Sequence, residues 1–292
     1  MILAAIDLGT NSSRLLISRC NQGKTETILR ELRTNRLGGG MNAGGLIKEN
    51  SRQKTAQYLE EFKEIMAAHR VEGFHTVATS AVREAKNRAE FIEFLYSATG
   101  IRPEILSARR EAELSYRGAL KAWQGEGKML LVDLGGGSTE IIWYTDQAHF
   151  TSLPIGAVRG TEAAMSMAEM AAIIASLGDV KEELRSFSLV MTGGTATTLA
   201  AVKLSLEVYD AEQIHGARLS RREIGDIYNL TAGMSLRLRQ RLPGLQPERA
   251  DIIVKGIEIV LLLMDFLDKD MIIISENDIL DGIIDELYTG GD

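Results

Sequence analysis

A single cysteine, Cys20, has no partner in this 292-residue chain, which excludes an internal disulfide framework and fits a reducing, cytoplasmic setting. The four histidines, His69, His75, His149 and His215, form no HxxxH pair, and with one cysteine this argues against a zinc mechanism. The greasiest run, Ile257 to Leu267, is too short to span a bilayer and is broken by Glu258 and Asp265. The opening MILAAI lacks a basic lead and meets Asp7 at once, so a first strand is expected there rather than a signal peptide. Neither a GxxxxGK(S/T) loop nor a framed dinucleotide fingerprint is present. Basic stretches interleaved with aromatics are missing too. With a net charge of −7, that argues against general nucleic-acid binding.

What is present is ordinary in bulk and uneven in detail. Apolar residues make up 45% and charged residues 25%, as in globular proteins, and the length suits two domains. Residues 1–120 carry a balance of +4 and residues 121–292 one of −11. The basic front half is either a local attraction for a polyanion or a set of solvated helix faces.

The chain is organised around Leu130 to Thr145, LLVDLGGGSTEIIWYT. Apolar residues lead into Gly135, Gly136 and Gly137, then Ser138 and Thr139, and β-branched and aromatic residues lead out. This is a strand, a tight turn and a strand. Consecutive N–H groups in such a turn can cradle an anion, and the flanking carboxylates of Asp133 and Glu140 are the hard oxygens that Mg²⁺ prefers. Alone, a triple-glycine turn would be read as a plain hairpin. However, Leu3 to Ile17, LAAIDLGTNSSRLLI, is the same object: Asp7, Leu8, Gly9 and Ser12 match Asp133, Leu134, Gly135 and Ser138. Two such loops, one in each half, suggest a duplicated architecture facing a shared cleft.

Taken in order, a third strand is expected over Glu26–Arg33, then a glycine-rich loop over Leu37–Gly45 near the cleft. An amphipathic helix follows over Ser51–His69, a strand over His75–Ala78, and Thr79, Ser80 and Arg83 at its end, placed to grip phosphate oxygens. A helix over Asn87–Thr99 and a strand over Pro103–Leu106 lead to Glu111, in the first turn of a helix running toward Ala122. The second half repeats the order. A strand is expected over Ala148–Pro154, a helical region over Gly160–Phe187 and a strand over Ser188–Met191. That strand delivers Thr192, Gly193, Gly194 and Thr195 to a helix start. Helices over Leu219–Met234 and Arg249–Leu267, a strand over Met271–Ser275 and a last helix from Asn277 complete the reading.

These residues together resemble the exopolyphosphatase/guanosine pentaphosphate phosphohydrolase (Ppx/GppA) family of the actin-like superfamily. The matching segments are DLGTNSSRL (Asp7 to Leu15), ATSAVREAKN (Ala78 to Asn87) and SxxxEAELSYRGA (Ser107 to Ala119). They continue with DLGGGSTE (Asp133 to Glu140), LPIGAVR (Leu153 to Arg159) and TGGTATTLAA (Thr192 to Ala201). The resemblance implies an α/β fold of two actin-like, ribonuclease H-like domains, with the active site in the cleft between them. The expected domains are 1–120, with a terminal helix 277–292 packing back on it, and 121–276. It further implies Mg²⁺-dependent hydrolysis of a terminal phosphoanhydride, with Mn²⁺ as an alternative ion. Glu111 matches the glutamate that prepares a water. Arg83 matches an arginine on the phosphoryl oxygens, and Asp133, Glu140 and Asp7 are assigned to the metal. Gly9, Thr10, Asn11 and Ser12, together with Gly136, Gly137 and Ser138, match the phosphate loops, and Gly193 and Gly194 match a further phosphate-side loop.

Two departures stand out. Arg110 occupies the place where family members often carry an acidic neighbour of the glutamate. With the sequence ending at Asp292, the helical extension of longer members, associated with gripping long polymers, is expected to be missing. The substrate expected is inorganic polyphosphate, with pppGpp as the alternative; an actin-like kinase or ATPase and a non-catalytic sensor are the remaining readings. A homodimer with no nucleic-acid or membrane partner is expected.

Overall fold

The computed structural model describes all residues except 42–44, 124, 126, 291 and 292. Part of the expected Leu37–Gly45 loop, part of the inter-domain stretch Gly125–Lys128 and the end of the expected 277–292 segment therefore lie outside the described residues. The chain divides into two units, Met1–Gly118 with Ile279–Asp292, and Ala119–Asp278.

The first unit opens with β1 (Ile2–Leu8), β2 (Ser13–Asn21) and β3 (Lys24–Arg33), an antiparallel meander. Next come α1 (Glu49–Ala68), β4 (Gly73–Ala78), the short α2 (Ser80–Glu84), α3 (Arg88–Thr99), β5 (Glu104–Ile105) and α4 (Ala108–Ala122). Strand order is β3-β2-β1-β4-β5, with β1, β4 and β5 parallel. Strand β1 is buried on both faces, which is why it reads as continuous apolar sequence rather than an alternation. Ala4, Ile6 and Leu8 pack with Leu59, Phe62, Phe91 and Leu95 of α1 and α3. Leu3 and Ala5 point the other way, into a core with Leu114 and with Leu280, Ile283 and Ile284 of the helix Ile279–Thr289. That last helix is also tied by ion pairs, Arg30 to Asp281 at 2.7 Å and Arg117 to Asp285 at 2.5 Å, with Arg110 on Glu286.

The second unit repeats the plan. β6 (Met129–Leu134), β7 (Thr139–Tyr144) and β8 (Ala148–Leu153) form the meander. They are followed by α5 (Ala157–Glu162), α6 (Met167–Ala175), α7 (Lys181–Leu184), β9 (Ser188–Thr192) and α8 (Gly194–Lys203). Then come α9 (Ala211–Ile214), β10 (Arg218–Ser220), α10 (Arg221–Gly233), α11 (Leu236–Arg239), a 3₁₀ turn at Pro247–Arg249, α12 (Ile253–Leu267) and β11 (Met271–Ile274). Strand order is β10-β11-β9-β6-β7-β8, so β8-β7-β6-β9-β11 mirrors the order in the first unit. The apolar α12 sits at the centre of this core, with Ile257, Ile259, Val260, Leu263 and Met264 buried.

The structure sharpens three expectations. The helical region expected over Gly160–Phe187 divides into short helices, because Ala164 takes a φ of 48°, Ser166 starts α6 with a capping box to Glu169, and Gly178 ends that run at a φ of 73°. The helix expected from Leu219 begins at Arg221; Leu219 pairs with Ile272 in the sheet, and Ser220 caps α10 through Glu223. Arg83, expected at the strand's end ahead of the helix Asn87–Thr99, lies within the short helix α2.

The α10 cap carries a pH signature. Glu223 accepts from Lys203 at 2.8 Å and from the Ser220 N–H and hydroxyl, and these bonds, with Lys203 the largest influence, hold its carboxyl at about 2, against 4.5 for the free group. A depressed carboxylate stabilises the fold above its unfolded value, and that stability is lost as pH falls toward the folded one. Wild type should therefore lose more stability than Glu223→Gln on descending from 4.5 toward about 2, as read by thermal unfolding across that range.

Candidate active site

In the first unit, the parallel strands β1, β4 and β5 deliver all the expected site residues at their carboxyl ends, where ligands bind in open α/β sheets. Asp7, near the end of β1, is 4% exposed and lies opposite Arg14 on β2. Arg14 donates to Asp7 Oδ2 at 2.7 Å through Nη2 and at 3.1 Å through Nε. The loop that follows is pinned from its flank. Gly9 N–H donates to Ser12 O at 3.0 Å, Gly38 N–H to Thr10 O at 2.8 Å and Arg36 N–H to Asn11 O at 2.9 Å. With these carbonyls engaged, the N–H groups of Thr10, Asn11 and Ser12 bond to no described residue. That is the arrangement an anion needs.

The same sheet end carries the second element. Leu106 N–H donates to Ala78 O, which joins the exits of β4 and β5. Ser107 then caps α4 by accepting from Arg110 N–H at 3.1 Å, and this sets Glu111 in the first turn. Arg83 Nη1 donates to Glu111 Oε2 at 2.7 Å and to Leu106 O at 3.0 Å. Glu111 is buried to 9% exposure. The carboxylate is thus fixed by a guanidinium that is itself fixed by a backbone carbonyl.

The second unit builds the same loop 126 residues later. Gly135 N–H donates to Ser138 O at 3.0 Å. Ala157 N–H donates to Gly135 O, Val158 and Arg159 N–H to Gly136 O, and Arg159 Nε to Gly137 O at 2.5 Å. The N–H groups of Gly136, Gly137 and Ser138 bond to no described residue. Gly156 makes this brace possible, since a Cβ there would strike the Gly136 carbonyl. Gly193, at a φ of 93°, opens α8 against Leu134 O, where any side chain would be both strained and obstructed. Gly194 lies beneath the Arg249 guanidinium. Nearby, Tyr209 donates to Glu276, and burial of its hydroxyl, then the adjacent carboxylate, pushes its pKa above the usual phenol value although 46% of the residue is exposed.

The duplicated hairpins differ at one position. Asp7 faces Arg14, whereas Asp133 faces Glu140 at the same offset, in register and on one face of β6 and β7. Glu140 is 1% exposed and accepts from Ser152 Oγ at 2.8 Å. Among the described residues no group of three or more acidic, histidine or cysteine side chains forms a cage. Two facing carboxylates without a third still fit Mg²⁺, which keeps several waters and takes substrate oxygens for the rest.

Sequence reasoning thus located Asp7, Gly9–Ser12, Arg83 and Glu111 in one unit, and Asp133, Gly136–Ser138, Glu140, Gly193 and Gly194 in the other. It missed the braces at Arg36, Gly38 and Arg159 and the Arg249 contact. The Arg14–Glu140 correspondence was readable from the same 126-residue offset. No helix among the described residues is long and apolar enough to cross a membrane.

The chain is similar to known proteins along nearly its whole length. The chain is 34% identical to a bifunctional 3-dehydroquinate synthase/phosphatase of Fusobacterium nucleatum, covering 96% of this chain but only 46% of that protein. It is 33% identical to exopolyphosphatase 2 of Mycobacterium tuberculosis, covering 96% and 97%. It is 28% identical to a guanosine-5'-triphosphate,3'-diphosphate pyrophosphatase of Aliivibrio fischeri, covering 97% and 59%. Among solved structures, the Ppx/GppA family member of Aquifex aeolicus superposes with a TM-score of 0.81 at 29% identity over 99% of this chain and 98% of that one. The Ppx/GppA phosphatase family profile matches residues 16–289, and the chain belongs to that family.

Proposed function

We propose that this protein hydrolyses the terminal phosphoanhydride of inorganic polyphosphate and releases orthophosphate. The observation that carries the reading is the pair of loops whose carbonyls are tied from the flank while their N–H groups stay available, together with a carboxylate locked at Glu111. Phosphoryl transfer asks mainly for positioning, charge neutralisation and an oriented nucleophile. The loop N–H groups bind phosphate oxygens. Glu111 accepts a proton from water as the water oxygen attacks the terminal phosphorus, and the bridging P–O bond breaks with its electron pair leaving on the shortened chain. Arg83 keeps the Glu111 carboxylate in one orientation and brings positive charge to the same place. Asp133 and Glu140 would hold Mg²⁺, which when bound supplies charge neutralisation at the phosphate oxygens.

The likeness to the Aliivibrio fischeri enzyme supports a second substrate, pppGpp, on the same groups. The single buried Cys20 supports a reducing cytoplasm, and the family resemblance supports a homodimer. Phosphate release from short polyphosphate, long polyphosphate, pppGpp and ATP, measured side by side with Mg²⁺, tests the reading. Polyphosphate should exceed the others. Preference for pppGpp would move the protein to the second reading, and silence on all four would sink both.

A further inference from the structure

Behind the first loop lies a buried polar cluster with no part in the chemistry above. Asn35 is 2% exposed, and its Nδ2 donates to Ser13 Oγ at 2.7 Å and to Thr55 Oγ1 at 3.0 Å. Thr55 spends its own proton on Ser51 O at 2.7 Å, so toward Asn35 it can only accept, which fixes the orientation of the amide. Ser51 Oγ donates to Arg36 O at 3.1 Å and closes the cluster around the turn that follows Asn35.

That turn is under strain. Arg36 takes a φ of 50°, a left-handed conformation that a side chain resists unless its surroundings impose it. The surroundings do: Asn35 on one side and Leu37 on the other are buried, and the Arg36 carbonyl is held by Ser51. The strained turn then presents the Arg36 and Gly38 N–H groups to Asn11 O and Thr10 O. Asn35 Oδ1 stays buried with no partner among the described residues, a cost that a leucine of similar size would avoid. A side chain kept only to fill space would not carry that cost.

We propose that Asn35 is a positioning residue for phosphoanhydride hydrolysis. Through Ser13, at the exit of the loop, and through the Arg36 turn that engages its carbonyls, it aims the N–H groups of Thr10, Asn11 and Ser12 at the phosphate oxygens. The inference rests on the function proposed above.

The test compares Asn35→Leu, Thr55→Val and Thr55→Ser with wild type in the full chain. Steady-state hydrolysis of short polyphosphate, inhibition by inorganic phosphate and thermal unfolding are measured for each. Asn35→Leu and Thr55→Val should raise KM and the phosphate inhibition constant about 10- to 100-fold, the worth of a hydrogen bond to a charged oxygen. The effect on kcat should be smaller, because Glu111 and Arg83 are untouched. Thr55→Ser, which keeps the hydroxyl, should restore wild-type values. Unchanged KM and inhibition constants in the folded variants would overturn the proposal even if their melting points fell. Should Asn35→Leu fail to fold, Thr55→Val decides by the same criterion. A silent wild type would overturn the functional reading and this inference together, whereas an active wild type with unmoved variants would overturn this inference alone.

Discussion

Glu111→Gln should lower the turnover of polyphosphate by about 10²- to 10⁴-fold, the range expected when a positioned base is removed. The substitution keeps the size of the side chain and its place in the first turn of α4, and it leaves the loops of both units intact. KM should therefore change little. The amide can still accept from Arg83 Nη1 through its oxygen, so the contact that now measures 2.7 Å survives while the basicity goes. This separates the base from its holder. Arg83→Met should give a milder loss of kcat with the carboxylate present but unaligned, since the guanidinium's bonds to Glu111 and Leu106 O are what fix it. Measured kcat and KM for the two variants, with circular dichroism to confirm folding, decide the matter. A Glu111→Gln enzyme as fast as wild type would remove the mechanism.

Removing divalent ions should be as damaging. Chelation of divalent ions should abolish measurable turnover, and Mg²⁺ should restore it. Asp133→Asn should raise the Mg²⁺ concentration needed for half-maximal rate by about tenfold or more, because one of two facing carboxylates no longer carries charge. Glu140→Gln should act in the same direction. Asp7→Asn serves as the contrast: its carboxylate faces Arg14, a cation supplied by the chain, so the metal titration should move far less. A titration curve unchanged in Asp133→Asn would refute its role as a ligand. The duplicated hairpins would thus have diverged at one cross-strand pair, one keeping its positive charge in the sequence and the other left to take an ion from solution.

Much of this was legible before any coordinates. Both glycine hairpins stood out because β-branched and apolar residues flank turns that only small residues can make, and Glu111 was recognisable in the first turn of a helix. Its bond to Arg83 was not. The two lie 28 positions apart and meet only because β4 and β5 run parallel and end side by side. The break within the Gly160–Phe187 region and the misplaced start at Leu219 share one cause. Ser166 with Glu169, and Ser220 with Glu223, are capping boxes that apolar periodicity alone passes over, although the Ser-x-x-Glu spacing was there to be read. The brace behind the first loop was hidden for a different reason. Asn35 gains its meaning from Ser13 and Thr55, some 20 residues to either side, and from a backbone angle at Arg36 that no residue type announces.

The helix Ile279–Thr289 completes the core of the first unit, yet the ribosome makes it only after the whole second unit. During synthesis the sheet face bearing Leu3, Ala5, Leu16 and Cys20 has only Leu106 and Leu114 of its final partners while some 160 residues are added. Cys20, the one thiol in the chain, lies buried in that same core. Its accessibility to a thiol reagent should therefore report the final step of assembly in nascent or refolding chains, with no engineered cysteine needed.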